Sequence, residues 1–167
     1  MNVVKIIQIK FLLVLLIVIS VGCAVQLAPK YDAALFEGVT NTNSKIMELF
    51  ASVSTGTDKA TFNEREQSYN SIIGSVDALA IQSKARPMPE NKLTEKVNQY
   101  LEKRGVGSMT GDVAPSANSL EEVSKQLSKM KEVDKKSGLT PGAVAAFKNA
   151  VIISMDQAIT YESFLNR

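Results

Sequence analysis

This chain has few places where chemistry could reside. It holds one thiol, Cys23, and no histidine or tryptophan in 167 residues. The missing histidine removes His-based triads, Cys–His dyads and three-histidine zinc sites. It also removes the paired Glu-x-x-His sites of di-iron bundles and histidine-ligated haem. Two carboxylate pairs remain, Glu64/Glu66 and Glu121/Glu122, of the kind used for general acid–base work. Each is expected in a first helical turn, where acids meet the positive end of the helix dipole, so neither needs a catalytic role. No phosphate loop, dinucleotide fingerprint, G-x-S-x-G elbow or calcium loop is present. The expectation is a protein that is not an enzyme, with no catalytic residues, no metal site and no cofactor.

The setting of Cys23 is more informative. It closes the apolar run from Phe11 to Ile19, followed by Ser20-Val21-Gly22. Lys5 and Lys10 precede or border the run, with no acidic residue. A positive start, a short apolar stretch and small residues at a cut site read as a secretory signal. A cysteine directly after the small residue resembles the lipobox of bacterial lipoproteins, over residues 1–24 only. That resemblance implies cleavage between Gly22 and Cys23, a diacylglycerol thioether on Cys23 and an acylated amine carrying a chain such as palmitate. Ser20 stands where the family usually has a larger apolar residue. Ser20-x-Gly22 also fits ordinary signal cleavage, which would leave a free thiol. An uncleaved membrane helix is the third reading, although the uncharged stretch from Phe11 to Gly22 is shorter than the about 20 residues a span needs.

In lipoproteins of bacteria with two membranes, the residue after the cysteine helps to sort them. Ala24 is not the aspartate that retains such proteins at the inner membrane, so the resemblance implies an outer-membrane lipoprotein facing the periplasm. Small outer-membrane lipoproteins joined covalently to peptidoglycan use a C-terminal lysine. This chain ends in Arg167, so no peptidoglycan cross-link through the C-terminus is expected. A single cysteine makes no internal bridge, and a secreted domain without a disulfide must stand on its core alone.

The chain therefore divides into a signal peptide (1–22), a lipidated cysteine with its tether (23–31) and a domain (32–167). The signal holds two of the 19 basic residues and none of the 17 acidic ones. The mature chain is thus neutral and has no overall field to draw it to nucleic acid. Its length suits one domain with a sizeable core.

The fold expected is all-α, a small helical bundle of about five helices. Asp32 is a good N-cap for the first, with Leu35, Val39, Thr42, Ile46, Phe50 and Val53 on one stripe. Thr61-Phe-Asn-Glu64 resembles a capping box opening the second, which Arg86-Pro87-Met88-Pro89 stops. A shorter helix is predicted from Glu90 to Arg104. Residues 105–118 read as a loop, with Ser119-Leu-Glu-Glu122 as a second capping box. Thr140-Pro141 starts the last helix. That helix is apolar on two sides, Val144, Phe147, Val151, Met155, Ala158 and Leu165 against Ala146, Ala150, Ile153 and Phe164. Such a helix is expected in the middle of a fold; the other reading is a strip open to a partner.

The candidate contact residues are few. Lys125, Lys129, Lys131, Lys135 and Lys136 form a solvated basic face or attract anionic headgroups. Tyr69, Tyr100 and Tyr161 belong to the core edge or line a groove. Arg86, held between stiff neighbours, is a candidate contact point in a loop. The function expected is a membrane-anchored envelope lipoprotein that binds a protein or supports an assembly, with the membrane engaged through its lipid. The alternatives are a periplasmic small-ligand or lipid binder, and an immunity or inhibitor protein.

Overall fold

The computed structural model describes residues 28–89, Gln99, Lys103 and 113–166. Among the described residues four α-helices carry the fold: α1 Ala33–Ser52, α2 Asn63–Lys84, α3 Pro115–Ser137 and α4 Pro141–Phe164. No strand occurs among the described residues. Helices adjacent in the chain pack antiparallel, and α1 closes the ring against α4, while the backbones of the diagonal pairs stay apart among the described residues. The result is an up-down-up-down four-helix bundle, with short connections after α1 and α3 and a longer one, residues 85–114, between α2 and α3. The expected helix at Glu90–Arg104 lies outside the described residues except for Gln99, which is helical, and Lys103, whose amide donates to the Gln99 carbonyl at 3.3 Å.

The start of α1 is as its sequence predicts. Asp32 is extended (φ −122°, ψ 103°) and its carboxylate accepts from the Leu35 amide at 3.0 Å. Thr140 does the same for α4, accepting from the Ala143 amide, with Pro141 at the first helical position. Both expected capping boxes fail to form, for the same physical reason: the chain enters the helix earlier. Thr61 closes a one-turn 3₁₀ helix, Lys59–Thr61, capped by Asp58. That turn runs directly into α2 through Phe62, which is already helical. In α3, Pro115 takes the first position, where its missing N–H is no loss. Ser119 is therefore inside the helix, its hydroxyl bonded back to the Pro115 carbonyl, and Glu121 and Glu122 are past the first turn.

The apolar stripes meet inside the ring. Leu35, Val39, Ile46 and Phe50 of α1 face Tyr69, Ile72 and Val76 of α2, Leu120, Val123, Leu127 and Met130 of α3, and Val151, Met155 and Ala158 of α4. Full burial of a side chain of this size contributes roughly 1.5–3 kcal/mol. The ring geometry also decides the question raised by α4. Among the described residues each helix has two neighbours, so α4 keeps an outer face. Ile152 and Ile153 on that face are 40% and 61% exposed, and Phe164 is 58% exposed. The central position expected for this helix is not found, and Phe147 is only partly buried against the core.

The α1–α2 and α3–α4 connections lie together at one end, called here the loop end. Thr57 joins them: its amide donates to the Leu139 carbonyl, and its hydroxyl oxygen accepts from the Leu139 amide, both at 2.8 Å. The approach is close enough to need glycine. Gly138 has φ 75°, and a Cβ there would collide with the Thr57 carbonyl. The other end holds the start of α1, the end of α2, the start of α3 and the end of α4.

Candidate functional site

Each end of the bundle contains one fully buried carboxylate with an arginine. At the loop end, Asp134 of α3 is 0% exposed. It accepts from Arg65 Nε and Nη2 at 3.0 and 2.9 Å, from the Thr57 hydroxyl, and from the Tyr69 hydroxyl at 3.2 Å. Burial alone would raise the Asp134 carboxyl, but the hydrogen bonds from Arg65 and Thr57, with the Arg65 charge, hold it below its ordinary value. The same bond to Asp134 raises Arg65. Burial, then the facing Asp134 charge, pushes the Tyr69 phenol well above its ordinary range. Tyr69 is thus a core residue stacked beside Phe62, not part of a ligand groove.

At the opposite end, Glu162 of α4 is also 0% exposed. Arg86 grips it with both terminal nitrogens, Nη1 reaching Oε2 at 2.9 Å, and the Ser116 hydroxyl of α3 donates to Oε1. Ser83 of α2 shares a hydrogen bond with Ser116 at 2.8 Å. Arg86 is therefore an internal cross-link with a side chain only 10% exposed, which corrects its expected role as a loop contact. Its Nε is buried without a hydrogen-bond partner among the described residues. The Ser116 hydroxyl donates a hydrogen bond to a carboxylate already paired with a guanidinium, and both Ser116 and Glu162 are buried. That arrangement ties α3 and α4 to the end of α2.

Neither carboxylate was singled out from the sequence, although both leave a signal there. Val123, Leu127, Met130 and Asp134 are spaced by four, three and four residues. Val151, Met155, Ala158 and Glu162 repeat the same spacing. An acid in register with an apolar stripe must be buried, and a buried acid needs a cation.

The remaining candidates lie on the surface. Glu66 pairs with Lys131 and Lys135 at 3.9 and 3.8 Å, and Lys135 sits 5.6 Å over the Phe62 ring. Glu122 is bonded by Gln126 and Lys125, which lower its carboxyl. The lysines of α3 are thus partly matched by acids. An open groove over Gly74 between α2 and α3 is lined by Ile73, Asp77, Ser128 and Lys131. A second open groove, near Glu162, is lined by Pro115, Ser119, Gln157, Tyr161 and Phe164. Tyr161 is half-buried there, and burial raises its phenol. Tyr100 and Cys23 lie outside the described residues. Among the described residues, no cluster of three or more acids, cysteines or histidines could hold a metal, and no helix is long and apolar enough to cross a membrane.

No family model matches this chain, and neither a curated protein nor a solved structure is significantly similar to it.

Proposed function

We propose that the chain is a non-enzymatic lipoprotein of the cell envelope, anchored through acyl chains on Cys23, whose bundle binds a protein or supports an envelope assembly. In a host with two membranes it faces the periplasm from the outer membrane. The observation that carries the binding role is the outer face of α4. Ile152 and Ile153 stand 40% and 61% exposed there, and of the exposed residues on this helix from 141 to 164 only Lys148 and Asp156 carry charge. The bundle leaves much of these isoleucines in water, where a partner's apolar surface would cover them. A ligand held between the helices is less well supported, because Tyr69, Phe50, Leu127, Met130 and Met155 occupy that space, each below 2% exposed.

Two measurements test this reading. Cells fed labelled palmitate should label the protein, and Cys23→Ser should abolish the label; equal labelling of the serine variant removes the anchor. A photo-crosslinking residue in place of Ile153 should join a discrete protein in envelope preparations, and the adduct should disappear when Ile152→Asp is added. Adducts that are the same with and without Ile152→Asp reject the binding face.

A further inference from the structure

We propose that the end of the bundle where α1 starts and α2 ends rests on the bilayer, with Ile81 and its neighbours in the headgroup region. The inference rests on the reading of Cys23 as the anchor and adds which surface the anchor brings to the lipid. Pro29 is buried, so the chain is already seated on the domain there. Only residues 24–28 separate it from Cys23, and six Cα steps reach at most about 20 Å. Asp32, three residues after Pro29, caps α1 and accepts from Gln82 near the end of α2 at 3.2 Å. The anchor is thus attached at this end. The loop end lies a full helix away, and the 20 residues of α1 span about 30 Å. A tether of about 20 Å cannot run back along that length, so the loop end cannot be the surface held against the lipid.

The side chains at the two ends differ accordingly. At the anchored end Ile81 is 69% exposed and Phe164 is 58% exposed. Tyr31, Phe36 and Tyr161 are half-buried there, and Tyr31 and Phe36 form a ring pair at 6.2 Å. Aromatic side chains with one polar tip suit a membrane interface. Lys30 is exposed beside them and able to meet an anionic headgroup, while Lys84 is exposed but paired with Glu121 at 3.3 Å. At the loop end the aromatic residues turn inward: Phe50, Phe62 and Tyr69 are all buried.

The absence of tryptophan makes the test direct. Single tryptophans are placed at Ile81 and Lys84 (anchored end), Ile153 (outer face of α4) and Thr55 (loop end), all exposed positions. The chain from Cys23 onward holds every described core contact. It is coupled through its one thiol to a maleimide lipid in phosphatidylethanolamine–phosphatidylglycerol vesicles containing brominated acyl chains. The tryptophans at 81 and 84 should shift to shorter wavelength and be quenched, while those at 55 and 153 should match the uncoupled protein. Equal behaviour of positions 81, 84 and 55 overturns the proposal. Quenching at 153 without quenching at 81 and 84 also overturns it, because the bundle then lies on α4. Chemical coupling keeps this outcome separate from natural lipidation, which palmitate labelling reads on its own.

Discussion

The two buried ion pairs use the same chemistry over different distances. Asp134 and Arg65 join α3 to α2, neighbours in the ring, whose axes lie about 8–10 Å apart. Glu162 and Arg86 join α4 to the residue just past α2, across the diagonal, where the ring geometry makes the gap about 1.4 times larger. The short acid serves the short gap and the long acid serves the long one. Both carboxylates stand in the last turn of their helix, where the dipole opposes negative charge by about 0.3–1 kcal/mol. The loop-end pair compensates with three donor residues, Arg65, Thr57 and Tyr69. The other has two, Arg86 and Ser116, and leaves Arg86 Nε unsatisfied. The more fully bonded carboxylate ties neighbouring helices; the less fully bonded one reaches between helices whose backbones stay apart.

The largest expected effect comes from removing one partner of a buried pair. Arg65→Met should cost about 3–5 kcal/mol, because it leaves Asp134 charged and without a cation. Arg86→Met should cost less, since it also removes the orphaned Nε, whose burial costs about 1–3 kcal/mol. Urea unfolding measures both. Equal costs, or a larger cost for Arg86→Met, would break the ranking of the two pairs. Replacing Arg86 and Glu162 together by methionine should recover most of the loss, as buried pairs often tolerate apolar replacement. The same exchange at Arg65 and Asp134 should recover less, because Thr57 and Tyr69 then lose an acceptor.

Gly138→Ala isolates the loop end. A side chain at φ 75° is strained, and this one would also strike the Thr57 carbonyl. A cost of about 1–3 kcal/mol is expected. Because Thr57 bonds Asp134, the cost should shrink in an Asp134→Asn background; strict additivity in a double-mutant cycle would show that turn and ion pair are independent.

The pH dependence probes the loop-end pair. The Asp134 carboxyl is lower when folded than when unfolded, so its contribution is complete above about pH 4–5 and is lost as pH falls below about 4. Tyr69 is shifted upward, so its contribution is complete below about pH 10 and is lost as pH rises beyond that value. Asp134→Asn should flatten the acid limb of the stability profile, and Tyr69→Phe the alkaline limb. An acid limb as steep in Asp134→Asn as in the parent would place the acid sensitivity elsewhere.

The helical fold was legible because its signals are local. The spacing of Leu35, Val39, Ile46 and Phe50 and the caps at Asp32 and Thr140 each depend on a few neighbouring residues, and all hold in the structure. The capping boxes misled because a Thr or Ser three residues before a Glu does not fix where the chain first turns helical; Pro115 and the Asp58 turn had already done so. The ion pairs were missed because their members are 69 and 76 residues apart. Single-helix periodicity marks Asp134 and Glu162 as buried but names no partner. The position of α4 was misread because two apolar faces are compatible with a central helix and with an outer one, and only the number of neighbours decides between them.

The smallest expected effect lies on α4, where two nearby residues separate the core from the open face. Val151 is 0% exposed and Ile153 is 61% exposed. Val151→Asp would bury an unpaired carboxylate among Met155 and the α1 and α3 stripes, and it should unfold the bundle or shift its midpoint by several kcal/mol. Ile153→Asp removes a side chain that is mostly hydrated already, so the folded and unfolded states lose nearly the same thing. Its unfolding free energy should stay within about 0.5 kcal/mol of the parent, the usual range for a surface change. The aspartate gains water on both sides of the equilibrium and meets no buried acid, since Glu162 lies on the opposite side of the helix. A large loss with Ile153→Asp would mean that this face is covered in the intact protein. With stability unchanged, any loss of cross-linking to a partner can be assigned to the face itself.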